Sequence, residues 1–157
     1  MVKSKSNSRL SSIENLIVLT QTDTTVGFVS QNKNKLYSVK SRESSKPFIK
    51  IYSNLEVLKD SKIRIPSLQK KLLRRSKKTT FIVKDKAFRI NKSNLNSQIL
   101  RNLDWNYSTS ANKSGEKFNL EFCEDKADII IEDKNRLSEK SSSTLLKINN
   151  TKIRRIR

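Results

Sequence analysis

Only two of the 157 residues are glycine, Gly27 and Gly115. Glycine is the residue that takes positive φ at little cost and lets a backbone approach a ligand closely. A chain this poor in it has to build its turns from Ser, Thr, Asn, Asp and Lys. The Gly-x-x-x-x-Gly-Lys loops that cradle phosphates are excluded. Gly115 lies in "STSANKSGE", residues 108–116, a run of small polar residues. There it is expected to admit a ligand close to the backbone or to supply a positive φ.

The length suits one domain and a sizeable core. The apolar fraction is 34% and the charged fraction 31%, a balance that raises disorder as a question. Recurring apolar clusters ("IENLIVLT", "TTFIV", "ADIIIED", "STLLKI") answer it for residues 13–157, which are expected to fold as the domain. Residues 1–12, "MVKSKSNSRLSS", read as a mobile basic arm with no apolar signal region. No apolar run reaches the ~20 residues of a membrane span. Cys123 is the only cysteine and histidine is absent. An intramolecular disulfide, a Cys/His zinc site and a histidine base are therefore ruled out, and a cytoplasmic location is expected. The net charge of +19 calls for polyanionic company such as nucleotide or RNA. Surplus Lys, Asn, Ile and Ser of the kind AT-rich coding produces is an alternative source of that charge, with the same electrostatic consequence.

Apolar patterning predicts strands over residues 13–19, in "PFIKIYS", in "TTFIVKD" with "AFRI" as its hairpin partner, and in "ADIIIED", "STLLKIN" and "TKIRRIR". Helices are predicted over residues 34–42, from residue 54, after Pro66 through "SLQKKLLRR", and over residues 94–103, where Leu95, Ile99 and Leu103 are in register. Hairpins mixed with helices predict an α+β domain, a mixed twisted sheet with helices packed on it.

Four polar loops stand out: "TQTDTT" after the first strand, "KSRESSKP", "STSANKSG" and "SSST" at residues 141–144. Hydroxyls, amides and Lys/Arg together suit phosphate or carboxylate, though each loop alone is also an ordinary turn. In order and spacing the four resemble the YrdC-like family of threonylcarbamoyl-AMP synthases. That family's Pro-Thr-Glu-Thr-Val-Tyr-Gly is matched by residues 21–27, with Gln21 for proline and Val26 for tyrosine. Its Lys-x-Arg and Lys-Pro are matched by Lys40, Arg42, Lys46 and Pro47, and its strand arginine by Arg89. Ser-Ala-Asn-x-Ser-Gly is matched in full by residues 110–115, and a Ser-Thr strand opening by Ser143 and Thr144. Its Pro-Gly-Pro-Leu-Thr loop is replaced by residues 76–80, keeping the threonine.

The resemblance implies a single YrdC-like domain that joins L-threonine, bicarbonate and ATP into threonylcarbamoyl-AMP for tRNA modification. It implies ATP contacts from Lys40, Arg42, Thr80, Ser110, Asn112 and a late arginine, Arg154. It implies threonine contacts from Thr24, Arg89 and Ser143, with Arg89 on the carboxylate. Catalysis would be by positioning, with Mg²⁺ arriving on ATP and Asp23 capping its loop rather than binding metal. The threonylcarbamoyl-transfer machinery is then a possible partner. The alternative reading is a non-catalytic RNA-binding module on the same fold, using Lys70, Lys71, Arg74, Arg75, Lys77 and Lys78. Those six cations otherwise form a solvated face. A degenerate paralogue with neither activity is the third reading.

Overall fold

The computed structural model describes residues 2–4, 13–40, 47–91, 103–113, 115–132 and 136–157. Their strands are β1 (Val2–Ser4), β2 (Val18–Gln21), β3 (Val26–Ser30), β4 (Ile49–Tyr52), β5 (Thr79–Val83), β6 (Lys86–Ile90), β7 (Trp105–Ser110), β8 (Ile129–Ile131), β9 (Thr144–Ile148) and β10 (Ile153–Arg155). Their helices are α1 (Lys33–Lys40), α2 (Leu55–Asp60), α3 (Lys70–Arg75) and α4 (Leu120–Lys126), with 3₁₀ turns at Ile13–Asn15 and Ser67–Gln69. The strands form one ten-stranded sheet in the order β1-β8-β2-β3-β7-β4-β6-β5-β9-β10. Three neighbouring pairs are parallel: β2 with β8, β4 with β6, and β5 with β9. The expected mixed sheet with packed helices is what forms.

Both faces of the sheet are covered where the chain is most apolar. Leu19, Phe28 and Ile130 enter one buried cluster, while their neighbours Val18, Val29 and Ile129 enter another. A side-chain period of two sends adjacent residues to opposite faces, so two-sided burial makes these strands near-continuous apolar runs. Leu36 of α1 and Cys123 of α4 complete the first cluster. A third cluster joins Phe81, Phe88, Tyr52 and Ile148 to Leu58 of α2 and Leu73 of α3. Phe81 and Phe88 face each other across β5 and β6 and stack at 5.9 Å.

Several local expectations change. Ile13–Asn15 form a 3₁₀ turn closed by Leu16 N donating to Ile13 O at 3.2 Å, and the strand starts only at Val18, after Ile17 N donates to Asp128 Oδ2 at 2.8 Å. Residues 108–110 belong to β7, an interior strand between β3 and β4, and not to a loop. Sequence reading missed α4, whose N-cap is Asn119: its side chain accepts from Phe122 N at 2.9 Å. Within the segment read as an arm, Val2–Ser4 pair antiparallel with β8 and cover its outer edge; residues 1 and 5–12 lie outside the described residues. The helix expected over residues 94–103 falls outside them too, except for Leu103, which is buried with Val18 and Ile129.

Phe28 is 0% exposed. Phe28→Ala should cost about 3–5 kcal/mol. Leu68→Ser, at a side chain 77% exposed, should stay within about 0.5 kcal/mol. Urea unfolding should read both as midpoint shifts at constant slope.

Candidate functional site

Arg89 is the organising residue. It lies on β6, an interior strand, with Phe88 committed to the apolar cluster on one face. The pleat sends Arg89 to the other face, in register with Ile51 of β4. The residue is 5% exposed, so its charge must find partners inside the protein. Nη1 donates to Asp23 Oδ1 at 2.6 Å and to Thr24 Oγ1 at 3.0 Å. Nη2 and Nε donate to Thr80 Oγ1 at 3.0 and 3.3 Å. Thr80 Oγ1 lies 2.9 Å from Ser143 Oγ. With Thr80 accepting from the guanidinium, its own hydrogen goes to Ser143. The Ser143 hydrogen is then left for a ligand.

The loop that brings Asp23 and Thr24 here is a tight hairpin made without glycine. Thr22 N donates to Thr25 O at 3.0 Å, and Thr22 Oγ1 accepts from Thr25 N at 3.2 Å and donates to Thr25 O at 2.6 Å. Asp23 is not the loop cap expected from sequence; its carboxylate is the counter-ion of Arg89. Gly27 follows in β3, where a Cβ would come within 2.9 Å of the Thr109 carbonyl of β7. Gly115 has φ +82° with open space around it, so its role is conformational.

The Ser-Ala-Asn segment leaves the end of β7 and is tied down by Lys40. Lys40 Nζ donates to the Asn112 carbonyl and to Asn112 Oδ1 (2.5 Å), with Ser110 Oγ at 3.5 Å. Ser110 Oγ donates to Asn112 Oδ1 at 2.7 Å, and Asn112 Nδ2 to Glu116 O at 2.6 Å. Lys40 itself is 7% exposed. Cys123 Sγ lies 3.2 Å from the Ala111 carbonyl behind this segment. Burial, only partly offset by the Asn119 backbone and the Lys40 charge, pushes its thiol up, which disfavours the thiolate a nucleophile needs.

Between the two clusters lies a cavity of about 280 Å³. Thr24, Arg89, Ser143 and Ser110 all line it, together with Ile49, Ile51 and Ser108. Four expected site residues therefore converge. Thr80, expected to contact ATP, does not line the cavity: it is 0% exposed and bonds Arg89 and Ser143 from behind. Arg154 is exposed on β10. The late arginine on the cavity wall is Arg157, which donates from Nε to the Ser143 carbonyl at 3.2 Å. Arg157 lies beyond the end of β10, where its carbonyl accepts from Leu145 N at 3.0 Å and keeps the chain beside β9. Arg42 lies outside the described residues. On the same face, Asn106 of β7 pairs in register with Ile51; it is 8% exposed and its Oδ1 has no hydrogen-bond partner. Among the described residues, no group of three or more Cys, Asp or Glu is placed to hold a metal.

The six cations of the basic run are exposed but do not act as one patch. Lys70 and Arg74 line a groove beside α2, while Lys77 and Lys78 line a separate cavity of about 260 Å³ that includes Asp23. Helical geometry puts positions four apart on one face, which is why Lys70 and Arg74 part company with the residues after α3.

The Arg89–Asp23 pair has side chains 6% and 14% exposed. Removing one member of a buried pair leaves the other charge uncompensated. Arg89→Ala should destabilise by about 3 kcal/mol, the low end for a broken buried pair because Asp23 keeps some exposure. Adding Asp23→Asn should restore part of the loss. Strict additivity in a double-mutant cycle would mean that the two side chains are not coupled.

A family model described as telomere recombination, Sua5/YciO/YrdC, matches residues 13–157. No curated protein matches the chain. Full-length HypF in its phosphate- and nucleotide-bound form superposes with a TM-score of 0.74 at 17% identity, over 100% of this chain and 25% of that one. Sua5 of P. abyssi in complex with L-threonine gives 0.69 at 19% identity, over 90% of this chain and 50% of that one. MTH1692 from Methanobacterium thermoautotrophicum gives 0.64 at 20% identity, over 90% and 79%. The chain spans about half the length of the Sua5 structures it matches. At these identities the structural likeness establishes the fold, and together with a family model spanning nearly the whole chain it places this protein in the Sua5/YciO/YrdC family.

Proposed function

We propose that this domain is an L-threonylcarbamoyladenylate synthase. The observation that carries the reading is the convergence of Arg89, Thr24, Ser143 and Ser110 on one cavity, with the Lys40-bound Ser-Ala-Asn segment at its rim. The similar Sua5 structure holds L-threonine, which supports threonine as the amino acid.

In this reading the amine nitrogen of threonine bonds to the carbon of bicarbonate with loss of water. A carbamate oxygen then bonds to the α-phosphorus of ATP. The bridging α–β bond breaks and pyrophosphate leaves with its electron pair. The substrate supplies the nucleophile, so the protein contributes position and charge. Arg89 takes the threonine carboxylate, for which its planar fork is suited. Asp23 already occupies part of that fork, so an incoming carboxylate shares or displaces it. Thr24 and Ser143 orient the amino acid, and Thr80 keeps the guanidinium in plane. Arg42 neutralises the triphosphate and Lys40 supports it by holding the Ser-Ala-Asn segment, with Ser110 and Asn112 shaping its seat and Arg157 taking the place assigned to Arg154. Magnesium enters on the phosphates of ATP.

The second reading, an RNA-binding module, draws on the six exposed cations of residues 70–78. Such binding would go through phosphates and weaken steeply with salt.

Purified protein given ATP, bicarbonate, L-threonine and Mg²⁺ should release pyrophosphate only when threonine is present. Asp23→Asn should lower the KM for threonine and Arg89→Lys should raise it. Folded protein with no threonine-dependent release would sink the synthase reading.

A further inference from the structure

A second concave surface lies away from Arg89, whose side chain does not line it. Helices α2 and α3 and the segment between them enclose a groove of about 640 Å³, more than twice the 280 Å³ of the candidate site. Its floor is aliphatic: Leu55, Leu58, Ile63, Ile65 and Leu73. Its rim carries Lys59, Arg64, Lys70 and Arg74 against Glu56 alone, four cations less one anion, or +3. All five rim residues are exposed. Leu68, on the turn leading into α3, is 77% exposed.

We propose that this groove docks an acidic amphipathic helical segment of a partner protein, leucine-like side chains on the floor and carboxylates on the rim. Three observations select this occupant. The floor is lined by aliphatic side chains, of which Leu55 and Ile65 are only half-buried, the kind of surface used in helix-in-groove recognition. The lining has no aromatic residue, so unpaired bases would find nothing to stack on, and phosphates alone have no use for an aliphatic floor. The rim cations are spread over α2, the connecting segment and α3, and not gathered at one end. A ligand with a single anionic head would meet only one or two of them; a helix with carboxylates flanking its apolar stripe meets them all.

The probe is a fluorescent peptide of about 16 residues with Leu at i, i+3, i+4 and i+7 and mainly Glu elsewhere, titrated with the full chain and read by anisotropy. A second peptide carries Ser at the Leu positions with the same charge. The expected result is that the Leu peptide binds at least about tenfold more tightly than the Ser peptide. Arg64→Glu with Lys70→Glu should weaken it by about tenfold or more. Lys77→Glu with Lys78→Glu makes the same change in net charge outside the groove and should weaken it by less than about threefold. Circular dichroism checks that each variant is folded; if the first pair is not, Lys59→Glu is compared with Lys77→Glu alone. Equal binding of the two peptides, equal loss from the two charge reversals, or no binding overturns the proposal. Single-stranded RNA that displaces the peptide, and is itself weakened by Arg64→Glu with Lys70→Glu, would assign the groove to nucleic acid and overturn it as well.

Discussion

A single guanidinium, buried in the middle of the sheet, sets the arrangement of everything around the candidate site. Arg89 cannot be 5% exposed without partners, and those partners come from parts of the chain far apart in sequence. Asp23 and Thr24 belong to the β2–β3 hairpin and Thr80 to β5, and Thr80 in turn bonds Ser143 of the segment that enters β9. Satisfying one charge therefore ties two chain segments to β6 directly and a third through Thr80. The same requirement makes the site polar within a sheet whose most apolar strands are packed on both faces.

Glycine scarcity shapes the site in a second way. Where a glycine-rich family of loops would rely on backbone freedom, this chain relies on side-chain hydroxyls and amides that bond their own backbone. The Thr22–Thr25 turn and the Asn112–Glu116 contact are of this kind. The two glycines are kept for tasks no other residue performs there. Gly27 leaves room for the Thr109 carbonyl, and Gly115 adopts φ +82°.

The charge of +19 is not spread as a featureless coat. One lysine, Lys40, is buried and holds the Ser-Ala-Asn segment. Another, Lys50, sits 3.6 Å over the Trp105 ring, and burial followed by the Lys86 charge pulls its pKa down. The run at residues 70–78 is divided between a groove and a cavity. Identical residue types thus serve as a loop anchor, a cation–π partner and a rim, according to what packs beside them.

Sequence by itself determined the strands with apolar centres, such as β5 and β8, and, through the family resemblance of their motifs, the grouping of Thr24, Arg89, Ser110 and Ser143 as site residues. Those features rest on local composition, side-chain period and motif order, which a chain carries before it folds. It did not reveal β7 as an interior strand, because Ser and Thr in "YSTS" look like a turn until β3 and β4 supply hydrogen bonds on both sides. It did not reveal α4, whose charged residues mask a helix that buries little more than Cys123. Nor could it decide that Asp23 pairs with Arg89, 66 residues away, that Thr80 supports the arginine from behind, or that Arg157 faces the cavity while Arg154 faces out. These are consequences of which strands pair and in what register. Which of two nearby arginines meets a site depends on the strands beside them, and only tertiary structure places those strands.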